Sequence, residues 1–216
     1  MRWRDTSPAL PLQPVAALLG RLPQLAAHLP EPGSAGRVVL FTEAVRRAVR
    51  THLEASLAEQ GGLLLGEVYA RGEGRDPHDS VFVLVRRAVP AADFTSDGFS
   101  LRMESAVWEQ ARRLRGPTEL VVGWYHSHPG LGAFFSGTDR RTQAAFFAQP
   151  YSVGWVVDPV RGEEAVFVGD ESGPVAGALA LPADYGLEAD GGSATGGGTT
   201  DGTVSAGVST TSNEVT

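Results

Sequence analysis

The strongest constraint on this chain is an apolar run, Leu120 to Tyr125, that delivers two histidines one residue apart. Leu, Val, Trp and Tyr in one short stretch read as a buried strand. Side chains two apart on a strand share a face, so His126 and His128 can hold one cation from one side. Pro129 and Gly130 end the strand. Ser136 then reads as a helix N-cap, and Asp139, three residues on, shares its helix face. Two imidazoles and one carboxylate make a three-ligand zinc site with a fourth position left for water. The same donors also suit mononuclear iron. The fold must therefore bring a strand end and a helix start to one point.

The stretch His126-Ser127-His128-Pro129, six residues, Ser136, two residues, Asp139 resembles the signature of the JAMM (MPN-plus) zinc metalloproteases. That family includes the deubiquitinating subunit of the proteasome lid. The flanks are similar too: Gly123-Trp124-Tyr125 before the histidines, and Tyr151 to Pro159 as the strand that follows. Glu59, with Gly62 three and Gly66 seven residues later, matches the family's remaining element. The resemblance covers about residues 38–183. It implies an α/β fold, a curved and mostly antiparallel mixed sheet flanked by helices. It also implies a zinc ion held by His126, His128 and Asp139, with Glu59 as general base and Ser136 assisting at the oxyanion. The expected substrate is the C-terminal tail of a ubiquitin-like or sulfur-carrier-like protein, cut by an isopeptidase or peptidase reaction.

Composition removes several rival classes. There is no cysteine, hence no disulfide framework, no cysteine nucleophile and no thiolate metal site. Zinc deaminases, which need cysteine ligands, are excluded with them. All 18 basic residues are arginines at or before Arg161, and nine of the 25 acids follow it. No clustered basic face of a nucleic-acid binder is apparent. Pro8, Pro11 and Pro14 interrupt any signal-peptide core, and no apolar run has the length of a membrane span. A cytoplasmic protein that binds neither nucleic acid nor membrane is expected.

Three regions are expected along the chain. Residues 1–36 hold six prolines and read as an irregular arm with one or two short helical turns. Residues 37–185 form the metalloprotease domain. Residues 186–216, rich in Gly, Ser and Thr with a few acids, offer too little apolar surface to offset ordering entropy and read as disordered. Within the domain, Val38 to Phe41 reads as a strand. Thr42 caps a helix reaching about Ala58, with Val45, Val49 and Leu57 on its apolar side. Leu63 to Ala70 and Ser80 to Val89 read as a strand pair, residues 90–100 as a loop, and Leu101 to Arg115 as a helix. A helix from Ser136 to about Gln149 and strands at Tyr151–Asp158, Glu163–Val168 and Val175–Leu181 complete the series. His28 and His78 read as surface or loop residues, and His52 as structural.

A zinc ion at this site would lower the pKa of a bound water, and a carboxylate within reach would take its proton. Glu67, in the strand after Gly66, is the rival for that base; otherwise it is a surface carboxylate at a strand end. A catalytically silent interaction scaffold is the alternative to an enzyme. Some relatives carry two insertions that grip substrate. Residues 90–100 leave room for a short first one, and Asp139 to Tyr151 for no long second one, so a partner subunit or a simple substrate is expected.

Overall fold

The computed structural model describes residues 12–32, 34, 36–71, 76–92, 94–96, 101–103, 105–175 and 177–181. The chain opens with β1 (Gln13–Pro14) and α1 (Val15–Arg21), then a 3-10 turn over Pro23–His28. β2 (Val38–Thr42), α2 (Glu43–Leu53), β3 (Gly61–Ala70) and β4 (Ser80–Pro90) follow. A small hairpin, β5 (Phe94–Ser96) and β6 (Leu101–Met103), precedes α3 (Ser105–Leu114). β7 (Leu120–Ser127), α4 (Gly137–Phe146), β8 (Val153–Asp158), β9 (Glu163–Val168), β10 (Gly173–Pro174) and β11 (Gly177–Leu181) complete it. Among the described residues, no helix is long and apolar enough to cross a membrane.

One mixed sheet runs in the order β10-β9-β8-β7-β3-β4-β2-β11, with β1 paired to β3. Its longest ladders, β3 with β4 and β3 with β7, are antiparallel, while β7 with β8 and β2 with β4 and β11 are parallel. The α/β fold matches the expectation. Alternation along the strands sorts the core into two faces. Val39, Phe41, Val83, Val85, Tyr125, Val153 and Trp155 pack under Val45, Val49 and Leu53 of α2. On the opposite face, Leu63, Leu65, Trp124 and Val156 pack with Val107 and Ala111 of α3 and with Phe135 and Phe147 around α4. The two motif glycines of β3 allow close strand approach. A Cβ on Gly62 would lie 2.2 Å from the Val89 carbonyl oxygen, and one on Gly66 2.0 Å from that of Leu84.

Helix α2 starts where expected, the Thr42 hydroxyl accepting from the Val45 N–H at 3.3 Å, but it ends at Leu53. Leu57, expected on its apolar face, is 82% exposed; a leucine at helical spacing does not by itself extend a helix past its packed face. Residues 94–96 and 101–103 pair as a hairpin rather than forming a loop and a helix start. Three residues are too few for helical and strand periods to be told apart.

The largest departure lies at the N-terminus. Leu18, Leu22 and Leu25, expected in an irregular arm, are buried against Leu40, Tyr69, Phe82, Leu84 and Leu181. Each such burial contributes roughly 1.5–3 kcal/mol. Residues 15–29 thus cover the part of the sheet that α3 and α4 leave open. The expected disordered tail, 186–216, lies outside the described residues.

Candidate metal centre

Strand β7 carries Trp124 and His126 on the α4 face, because alternate residues share a side. Beyond its last residue the His128 N–H still donates to the Val157 carbonyl of β8 at 2.9 Å, so His128 follows His126 on the same face. The two rings lie 4.8 Å apart between centroids. Asp139 comes to them from the first turn of α4, which a capping box fixes. The Ser136 hydroxyl accepts from the Asp139 N–H at 3.2 Å, and the Asp139 carboxylate accepts from the Ser136 N–H at 2.6 Å. All three side chains are buried.

The donor atoms converge. His126 Nε2 and His128 Nε2 are 3.1 Å apart, and they lie 3.2 Å and 3.5 Å from Asp139 Oδ1 and Oδ2. Two ligands each about 2.1 Å from a tetrahedral zinc lie about 3.4 Å apart, and these three separations bracket that value. Two imidazole nitrogens and a carboxylate, all lone-pair donors and all out of water, suit a shared cation. His126, His128 and Asp139 also form a group of residues able to hold a metal ion among the described residues.

The electrostatics favour the ligating forms of His128 and Asp139. Burial and repulsion from His126 push the His128 imidazole below its ordinary pKa, against the pull of Asp139 and Glu59. It is therefore neutral, as a metal ligand must be. Burial would raise the Asp139 carboxyl, but the His126 ring and the Ser136 hydroxyl and N–H outweigh it and hold the pKa at about 2.

Glu59 is half-buried on the segment between α2 and β3, close enough for its charge to act on His128. That segment is tied to the site by Ser127, the residue between the histidines. The Ser127 N–H donates to the Gln60 carbonyl at 2.8 Å, and the Gln60 N–H donates to the Ser127 hydroxyl at 3.0 Å. Glu67 is elsewhere. Gly61 pairs with His126 in the β3–β7 ladder, and six residues of strand place Glu67 roughly 20 Å away. It is not the exposed strand-end carboxylate expected, since it is buried and accepts from the Tyr69 and Thr118 hydroxyls at 2.7 Å each. Arg86 lies 3.5 Å from it.

Two supporting residues had no signal of their own in the sequence. Asp158, at the end of β8, accepts from the N–H groups of Gly130, Gly132, Val160 and Arg161 at 2.7 to 3.0 Å. It pins the loop that leaves His128. Gln143, one turn after Asp139 on α4, accepts from the Trp124 indole N–H at 2.7 Å. His52, expected to be structural, meets the Tyr125 hydroxyl through Nδ1 at 2.9 Å, on the α2 side of the sheet.

Comparison with known proteins adds the lineage. The family described as prokaryotic homologs of the JAB domain matches residues 42–166, which span β3, β7, α4 and β8 and hold Glu59, both histidines and Asp139. The chain belongs to that family. Membership agrees with the JAMM/MPN resemblance of its motif. Among curated relatives, the 26S proteasome non-ATPase regulatory subunit 14 of Drosophila melanogaster is 33% identical over 70% of this chain and 48% of its own length. The COP9 signalosome complex subunit 5a of Arabidopsis thaliana is 33% identical over 48% of this chain and 30% of its own. The chain thus spans less than half the length of these two relatives. A solution structure of a Desulfitobacterium hafniense protein is 18% identical, with a TM-score of 0.48, over 67% of this chain and 93% of that one.

Proposed function

We propose that this chain is a zinc-dependent isopeptidase or peptidase, hydrolysing an amide bond after the C-terminal tail of a ubiquitin-like or sulfur-carrier-like protein. The observation that carries this is the convergence of His126 Nε2, His128 Nε2 and the Asp139 carboxylate within 3.1 to 3.5 Å in a buried pocket. Zinc held there would supply Lewis acidity and a water of lowered pKa.

The chain's own residues do the rest. Glu59 takes a proton at its carboxylate from the attacking water and returns it to the leaving nitrogen. Its position beside His128, on a segment clipped to Ser127, supports that role. The Ser136 hydroxyl is engaged with Asp139 in the structure. In the reaction it turns from Asp139 to donate to the developing oxyanion. Buried Trp124 and Phe135 keep bulk water from the inner side of the pocket. The protein works in the cytoplasm, with a partner subunit or a simple substrate in keeping with a short first insertion and no long second one. The relatives named as proteasome and signalosome subunits support the partner subunit.

The test is incubation of the zinc-loaded chain with ubiquitin-like proteins encoded beside its gene, both as fusions and as lysine conjugates, with products weighed by mass spectrometry. Cleavage directly after the tail is expected. A metal-loaded protein that cuts none of them while binding one tightly would make it a scaffold, and stoichiometric iron in place of zinc would change the chemistry.

A further inference from the structure

His126 lies on β7, His128 just beyond its last residue and Asp139 on α4, so their mutual angle depends on how strand and helix are registered. The Trp124 indole lies flat on the His126 imidazole, with centroids 4.5 Å apart and planes 5° from parallel. A stacked ring restrains the plane of its neighbour, and with it the direction of the Nε2 lone pair. Trp124 is in turn fixed by its Nε1–H bond to Gln143 Oε1 at 2.7 Å. The amide nitrogen of Gln143 then donates to the carbonyls of Ser152 and Gly169 at 3.0 and 3.1 Å. Trp124 and Gln143 are both wholly buried. Gln143 stands four residues after Asp139, on the same face of α4.

We infer that Gln143, acting through Trp124, is a positioning residue for the metal centre: it ties the plane of His126 to the helix that carries Asp139. This rests on the metal centre proposed above. Partners outside the ligand shell commonly tune affinity by tenfold to a hundredfold. The buried amide also serves the core, so the test must separate ligand geometry from stability.

The experiment loads Co2+ into the full chain and into Trp124→Phe, Gln143→Met, the double variant and a control, Trp155→Phe. Trp155 is equally buried but packs on the α2 face. Cobalt affinity and the visible absorption of bound cobalt, which reports ligand geometry, are both measured. Trp124→Phe keeps an aromatic ring beside His126 and loses the N–H together with part of the indole's volume, a loss that the Trp155→Phe control shares. The expected result is a tenfold to hundredfold loss of affinity and a shifted cobalt spectrum in both single variants. The double variant should be no worse than the weaker single one, because both cut one connection, and the control should match wild type. Wild-type affinity and spectrum in the two single variants would overturn the role of Gln143 and leave the metal centre standing. Equal loss in Trp155→Phe, or failure of both single variants to fold, would also overturn it by showing a core effect. A wild-type chain that takes neither cobalt nor zinc would remove the metal centre itself.

Discussion

Asp139 and Glu67 are both buried carboxylates beside the β3–β7 ladder, one at each end, and their surroundings differ in kind. Glu67 meets two hydroxyls that donate to it and one guanidinium, all from the chain itself. Asp139 meets its own helix cap and two imidazole nitrogens that converge on it and on each other. Donor and acceptor are matched at the first end. At the second, three lone-pair donors share one small space, which is costly unless something positive joins them. Burial and hydrogen bonding alone do not separate a structural carboxylate from a functional one. The difference is whether the partners complete each other within the chain.

The largest effect is expected from Asp139→Asn. The neutral amide removes the only carboxylate of the proposed ligand set and also weakens the α4 capping box. Metal should be stripped and hydrolysis lost with it, as elemental analysis and a peptidase assay would record. Stoichiometric zinc in this variant would break the contrast at its functional end.

Next comes Glu59→Gln, which should keep zinc and fold. The amide cannot take a proton, so turnover should fall on the order of a hundredfold or more. Zinc content and turnover measured on one preparation separate a lost base from a lost metal. Turnover near wild type would leave Glu59 as a charge near His128 and nothing more.

Glu67→Gln should give the opposite pattern, with zinc and turnover within a few-fold of wild type. Stability should fall by about 1–3 kcal/mol, because one buried acceptor becomes mismatched and the Arg86 pairing is lost. Urea unfolding checks this. A zinc-loaded but inactive Glu67→Gln would reverse the two roles.

What the sequence made legible is what local rules govern. The apolar run, the histidine spacing, the Pro-Gly stop and the Ser136 cap with Asp139 on its face all depend on neighbours within a few residues. The sequence was silent where partners are distant. Glu67 could not be read as buried because its Thr118 partner lies 51 residues away. Gln143 reaches 19 residues back to Trp124, and Asp158 reaches 28 back to Gly130. Leu18, Leu22 and Leu25 lie among prolines, and their spacing does not tell that the strand face carrying Leu40, Phe82 and Leu84 lacks a cover. Leu18→Ala should accordingly cost about 2–5 kcal/mol in stability while sparing the metal centre.

Asp158 extends the comparison to a third buried carboxylate, one satisfied by backbone alone. Burial would raise its pKa, but the N–H groups of Gly130, Gly132, Arg161 and Val160 hold it at about 2. The unfolded chain carries it at the ordinary value, so the unfolded state binds the proton first as pH falls. Its contribution to stability is complete above the ordinary carboxylate pKa and is lost as the pH drops through the folded value. Asp158→Asn removes that dependence, because the amide offers one acceptor oxygen and no charge. The thermal midpoint of the metal-free variant should lie a few degrees below wild type near neutral pH, and the gap should close between pH 4 and pH 2. The loop leaving His128 loses part of its anchor, so a modest drop in zinc affinity should accompany the substitution at neutral pH. A gap that stays constant down to pH 2 would mean that the carboxylate charge is not what holds residues 130–132 in place.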